Sequence, residues 1–426
     1  MLASRPAALA WLLLWWLFPT GALARSHPPA TLARAASGLL YFGGPVTANA
    51  RVYAIWWGKK ANLRAFISAS DGGMPNFYAG VTNSPYVDWL SEYSSRRSVN
   101  AGSAAGEGGT QQTIGRGNYA GSYELPLAPL GTVTDAVIAA TLGAAFDGGT
   151  LPPPDGNSIY ALHFPSSVTV DSLGKSCVDF SAYHEITPAT ADGAAYLVLP
   201  DCGQSPDAYF ATSAHELAET LTDRIPTPGT HPDYPQAWND SMGNEIGDLC
   251  TGRSVPLVQL ATSMGTFSVQ QLWDNRTQSC QAFSAEAQDF TVSFGNPVQE
   301  LLPGHSSAVQ VTTATVRGAP ATLTLAVTAP PGISAKLSSQ SLLSGSNTTL
   351  QVTLDSPSPR QGGQVVVTAF GVGGVTHSAA LLVQAPSKPS SGGCSAGGAE
   401  LGALWLVGTA FARSRRREFP TRPGKL

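Results

Sequence analysis

The sequence predicts an α+β protein, with a mixed α/β domain over residues 38–285 followed by an Ig-like β-sandwich over residues 288–385. Three observations carry that expectation. Between Gly38 and Phe283, β-branched and aromatic runs are interleaved with stretches of helical period, as layered α/β and α+β domains require. Beyond Asp289 the pattern changes to short alternating runs, separated at regular intervals by Gly, Pro, Ser and Asn. Charged residues make up only 12% of the 426 positions, against about 25% in an ordinary globular domain, and 45 Gly and 32 Pro accompany them. That balance excludes a coiled coil. A net charge of −4 excludes a nucleic-acid binder that works by neutralising phosphates.

Taken in order, the chain opens with a secretory signal over residues 1–24. Arg5 supplies the positive start, Ala7 to Phe18 the apolar run, and Ala22-Leu23-Ala24 the small-x-small cleavage site. Arg51-Val52-Tyr53-Ala54-Ile55-Trp56-Trp57 then reads as a buried strand closed by Gly58. Val133 to Phe146 has a helical period ended by Gly148-Gly149, Ser158 to Phe164 is a second strand and Ala194 to Leu199 a third. Asp207 to Thr222 is the clearest helix. The sandwich strands are expected at Phe290–Phe294, Ser307–Thr313, Thr322–Val327, Thr348–Leu354, Gln364–Ala369 and Leu381–Val383.

The C-terminal end is an address. A Pro/Ser/Gly linker with Cys394 spans 386–398, and an apolar segment with Arg413, Arg415, Arg416 and Arg417 spans 399–417. Gly393-Cys394, the short apolar span and the Arg cluster resemble a myxobacterial-type C-terminal sorting signal. That resemblance implies cleavage near Cys394 by a sorting protease and retention at the cell surface or outer membrane, or release from it. A plain single-span anchor is the alternative.

Cys177, Cys202, Cys250 and Cys280 are an even set suited to an oxidising compartment. Of three possible pairings, the two shortest loops favour Cys177–Cys202 and Cys250–Cys280. The competing four-thiolate zinc site lacks close C-x-x-C spacing.

Chemistry concentrates in His215-Glu216-Leu217-Ala218-Glu219. On a helix, His215 and Glu219 are one turn apart and project from one face. This is the spacing of H-E-x-x-H zinc peptidases with the second imidazole replaced by a carboxylate, which makes the expected first domain zincin-like. Downstream, Glu245 and Asp248 stand three apart beside Cys250. The expected assignment is His215, Glu219 and Glu245 as ligands to zinc or another divalent metal, Glu216 as general base, and Asp248 as the outer partner that orients His215. His231, His184 and Trp238 are candidates for the walls of a cleft, with buried structural roles as the plainer alternative.

Tyr41-Phe42-Gly43-Gly44-Pro45-Val46, Ile55-Trp56-Trp57-Gly58, Asn157-Ser158-Ile159-Tyr160, Val168-Thr169-Val170-Asp171, Cys177, His184, the His215–Glu219 motif, Trp238 and Glu245–Cys250 occur in one order. Together they resemble the phosphate-responsive/Exordium-like extracellular proteins over residues 41–283. The resemblance implies a secreted, wall-associated protein without established enzymatic chemistry, and the added sandwich and tail depart from it. Two functions are therefore expected. One is a surface-anchored metalloprotein acting as a peptidase, with a peptide or cell-surface polymer as partner. The other is a non-catalytic extracellular matrix or surface-binding protein.

Overall fold

The computed structural model describes residues 38–125, 131–172, 174–227, 229–252, 255–355 and 362–386. The signal peptide, Cys394 and the 399–417 segment lie outside the described residues.

Asn49–Trp57 is the centre of the first body. It pairs in parallel with Gly115–Leu125 on one side and Ser158–Phe164 on the other. Ala194–Pro200 extends the sheet in parallel, and Tyr183–Thr187 closes its edge antiparallel. Because successive side chains of a strand point to opposite faces, Val52, Ala54 and Trp56 enter one core and Tyr53, Ile55 and Trp57 another. The Asp135–Asp147 helix covers the second face through Ile138 and Leu142, and the Pro206–Thr222 helix covers the first through Tyr209, Ala214, Leu217 and Leu221. Burial on both faces explains why the central strands read as unbroken apolar runs. The edge strand alternates instead, with His184 and Ile186 buried between more exposed neighbours.

The 17-residue helix that carries the motif is well specified locally. Ser205 caps it by accepting from the Ala208 N–H at 3.2 Å, and Pro206 occupies its first turn. Its far end is held by Asp223, which accepts from the Ala237 N–H at 2.8 Å and from the Asn239 amide. Arg224, fully buried, donates to the carbonyls of Asp155, Ser158, Ala191 and Gly193 and so ties the helix end to the sheet. Burial lowers the Arg224 pKa to about 10.

After Asp289 the chain forms two packed sheets around their own core of Phe290, Val292, Leu325, Leu350, Val352, Val367 and Leu381. One sheet runs in the order Asp289–Phe294, Ser306–Arg317, Asn347–Leu354, Ile333–Leu337. The other contains Ser341–Leu343, Thr322–Thr328, Gly362–Phe370 and Thr376–Gln384, and it is continuous with the first body. Ala379 pairs in parallel with Arg116, and Asn49 Nδ2 donates to Ser378 Oγ at 3.1 Å. A Cβ at Gly115 would come within 2.0 Å of Ser378 Oγ, so this junction needs the bare glycine backbone.

These features correct the expected fold class. Among the described residues, 22 strands in six sheets stand against three helices of eight residues or more, so the protein is strand-dominated and its first body is not a zincin-like α/β domain. The zincin-like part of the expectation rested on one helical motif, and a helix's own sequence does not specify the sheet it packs on. The Gly-containing strand Gly115–Leu125 and the hairpin Val258–Thr262 with Gly265–Val269 had too little apolar alternation to be read. The pairings Cys177–Cys202 and Cys250–Cys280 are both present. Such bonds belong to proteins of oxidising, extracytoplasmic compartments.

Candidate metal centre

Four segments meet beneath the Pro206–Thr222 helix. The helix brings His215, Glu216 and Glu219, the edge strand brings His184, and the Gly243–Cys250 loop brings Glu245 and Asp248. Gln270 follows the hairpin strand. The loop is fixed at several points. Asp240 Oδ1 accepts from the Met242 and Asn244 N–H groups, Trp273 N–H donates to Ile246 O at 2.9 Å, and Cys250 is bridged to Cys280.

Two overlapping groups of donors result. His184 Nδ1 lies 3.6 Å from Glu216 Oε2 and 3.7 Å from Glu219 Oε2. His215 Nε2 lies 3.0 Å from Glu219 Oε1 and 3.7 Å from Asp248 Oδ1. Within each group the ligand atoms lie within 4.8 Å of one another. Around an ion with bonds of about 2.1 Å, adjacent donors stand roughly 3.0–3.4 Å apart in octahedral to tetrahedral geometry. The 3.6 and 3.7 Å separations are longer than N–H···O hydrogen bonds and near that donor spacing.

The remaining imidazole nitrogens face acceptors. His184 Nε2 is 3.2 Å from Asp223 O and 3.5 Å from Glu245 Oε1. His215 Nδ1 is 3.2 Å from Gln270 Oε1, whose amide nitrogen donates to Gly247 O at 2.8 Å and so fixes the orientation. Metal-binding histidines are held in this way, with the distal N–H on a carbonyl or carboxylate. Gly247 lies flat against the His215 ring, where a Cβ would approach Nδ1 to 2.5 Å.

The electrostatics are unbalanced. Glu216, Glu219 and Glu245 are buried, and so is the side chain of Asp248. Two imidazoles face these four carboxylates, and the leading charges that shift His184, His215 and Glu216 are those carboxylates and imidazoles themselves. Burial lowers the His184 pKa, but Glu245, Glu216 and Glu219 outweigh it and lift the group to about 10. His215 is likewise raised against its own desolvation, chiefly by Glu219. Desolvation raises Glu216, opposed by the two imidazoles.

The predicted residues thus take partly exchanged places. His215 and Glu219 stand together as expected. Glu216, expected as general base, turns into the cluster toward His184. Glu245, expected as a ligand, sits behind His184, and Asp248, expected as an outer partner, faces His215 directly while its other oxygen accepts from the Glu245 N–H at 3.0 Å. His184, expected at a cleft wall, is central. Gln270 was missed, since nothing in a glutamine after a short strand marks it as a partner for a distant imidazole. His231 is exposed and outside the cluster. Trp238 is core, packed 5.2 Å from the rings of Tyr41 and Tyr93, with the Arg97 guanidinium over it. His163, bonded through Nδ1 to Tyr209 at 2.8 Å, is fully buried, and burial lowers its pKa to about 3.

A cavity of 490 Å³ lies at the seam with the sandwich, lined by Trp89, Glu92, Arg96, Arg276, Glu286 and His377, and none of the cluster residues borders it.

No protein-family model matches this sequence, and no curated protein matches it. Among solved structures, the chain is similar to domains 4 and 5 of the S-layer protein SbsC at 13% identity and a TM-score of 0.18, over 31% of this chain and 64% of that one. It is also similar to a secreted serine protease, VesC, from Vibrio cholerae, at 12% identity and a TM-score of 0.21, over 31% of this chain and 33% of that one. A FixG-related protein from Vibrio parahaemolyticus matches at 9% identity and a TM-score of 0.20, over 24% of this chain and 98% of that one. The chain spans just under two thirds of the SbsC fragment, and likenesses at these scores carry no argument about fold or function.

Proposed function

We propose that this is an exported cell-surface protein whose first body is organised around a buried divalent-metal centre, held by His184, Glu216 and Glu219, with zinc or another divalent ion bound. The observation that carries the reading is the pair of 3.6 and 3.7 Å separations from His184 Nδ1 to two buried carboxylates, with the opposite nitrogen already facing Asp223 O and Glu245. Burying several carboxylates against two imidazoles is costly, and a divalent ion supplies the missing charge. Two carboxylates and one imidazole form a hard donor set, suited to zinc with oxygen ligands or to manganese. The ion would draw the edge strand, the helix and, through Glu245, the disulfide-held loop into one unit.

A buried, non-catalytic centre is favoured over the peptidase reading because catalysis needs an open coordination position that a substrate reaches from a cleft, and none of these three donors borders the cavity at the sandwich seam. Glu216 is 5% exposed and faces an imidazole. The export signal and the sorting-type tail support surface attachment, and the ordered motifs from Tyr41 to Phe283 support kinship with the Exordium-like proteins.

The test is metal analysis of the exported protein and of Glu216→Gln, alongside peptide hydrolysis. Metal bound in the wild type, reduced in the variant, with no hydrolysis by either, supports the buried non-catalytic centre. Metal retained in the variant with hydrolysis lost supports the peptidase instead. A metal-free wild type rejects both.

A further inference from the structure

We infer that the centre is binuclear, with Glu219 bridging an inner ion and a second, outer ion held by His215 and Asp248. The inference rests on the metal-centre reading above and deepens it. Glu219 divides its oxygens between the two imidazoles: Oε2 is 3.7 Å from His184 Nδ1, and Oε1 is 3.0 Å from His215 Nε2. With a single ion on His184, His215 would do no more than hydrogen-bond Glu219 Oε1, which also accepts from the Asp248 N–H at 3.2 Å. Yet His215 is prepared as carefully as its counterpart. Its Nδ1 faces Gln270 Oε1, Gln270 is pinned by Gly247 O, and Gly247 gives the ring a flat surface that any side chain would occupy. Asp248 completes the outer group. One of its oxygens is held by the Glu245 N–H, and the other is presented 3.7 Å from His215 Nε2. Carboxylate-bridged pairs of divalent ions stand about 3.5–4 Å apart, a span one glutamate carboxylate covers.

The two positions differ in access. The His184 side chain is 3% exposed and that of His215 13%. The outer ion therefore has three protein donors and a side toward solvent, where water completes its coordination. It exchanges readily, whereas the inner ion is retained.

The experiment is zinc stoichiometry on the purified full chain, by mass spectrometric metal analysis after saturation and again after dialysis against a weak chelator. The expected result is two zinc ions per chain at saturation and one after dialysis. Asp248→Asn and His215→Gln should each hold one at saturation, with circular dichroism confirming that both fold. Cobalt substitution gives an independent readout: two Co²⁺ ions sharing Glu219 couple magnetically, so the fully loaded protein gives less paramagnetic signal per ion than the half-loaded one. One ion in the wild type and one in both variants overturns the second position and leaves the first intact. Two ions in the wild type and in both variants places the second ion elsewhere and also overturns it. No ion in the wild type overturns the underlying centre as well.

Discussion

Glu219 and His215 stand one helical turn apart, with Glu219 Oε1 3.0 Å from His215 Nε2. Spacing of i and i+4 puts both on one face of the helix wherever it packs. The other oxygen of Glu219 turns to His184, which comes from a strand 31 positions before the motif begins and could meet it only through the sheet edge.

The partner behind His184 should matter nearly as much as a ligand. Glu245→Gln keeps the shape of the side chain and removes the charge that faces Nε2. Metal affinity should fall about 10–100-fold, measured by competition with a chelating dye, with little change in secondary structure. An unchanged affinity would mean that Glu245 does not support the imidazole.

Gly247 is required by close approach. Its φ of −78° is open to any residue, so Gly247→Ala acts only through the added methyl against the His215 ring. We expect a loss of about 1–3 kcal/mol in denaturant unfolding. The accompanying shift of the His215 ring resonances by NMR should be larger than that of His163, which packs elsewhere.

The Cys250–Cys280 bond closes a separation of 30 residues and anchors the loop that carries Glu245 and Asp248. Replacing both cysteines by serine should cost about 2–4 kcal/mol of stability. It should also weaken metal binding, which the same double change at Cys177 and Cys202 should do far less. Equal effects of the two pairs on metal affinity would refute the anchoring role.

The sandwich carries an acid-sensitive contact of its own. His377 Nε2 is 2.7 Å from Asp289 Oδ1 and joins the two sheets. Burial raises the Asp289 pKa, but the His377 hydrogen bond and charge outweigh it, so the carboxyl sits below its usual range. A depressed folded pKa gives stability that is present above the unfolded value of about 4 and is lost as pH falls through the folded one. Asp289→Asn should therefore flatten the fall in urea midpoint between about pH 5 and pH 2.5. Parallel curves for the two proteins would show that the pair contributes nothing to acid sensitivity.

Much of the local structure was legible from residue order. Ser158–Phe164 is the expected strand to the residue, and the helix from Pro206 to Thr222 differs from expectation by one residue at its start. These are long or fully buried elements whose period is set by their own side chains. His215 with Glu219 belongs to the same class, because a helix fixes their relation without help. Of the three possible disulfide pairings, the one favoured by the shortest loops is the one present.

What only the tertiary structure decided is which partners those residues meet. The antiparallel edge strand carries His184 under the helix, the pinned loop turns Asp248 inward and sets Glu245 behind an imidazole, and the sandwich sheet runs into the first body at Arg116 and Ala379. Each depends on segments far apart in the chain. Strand order and loop path are settled by burial of the whole, and no local periodicity encodes them.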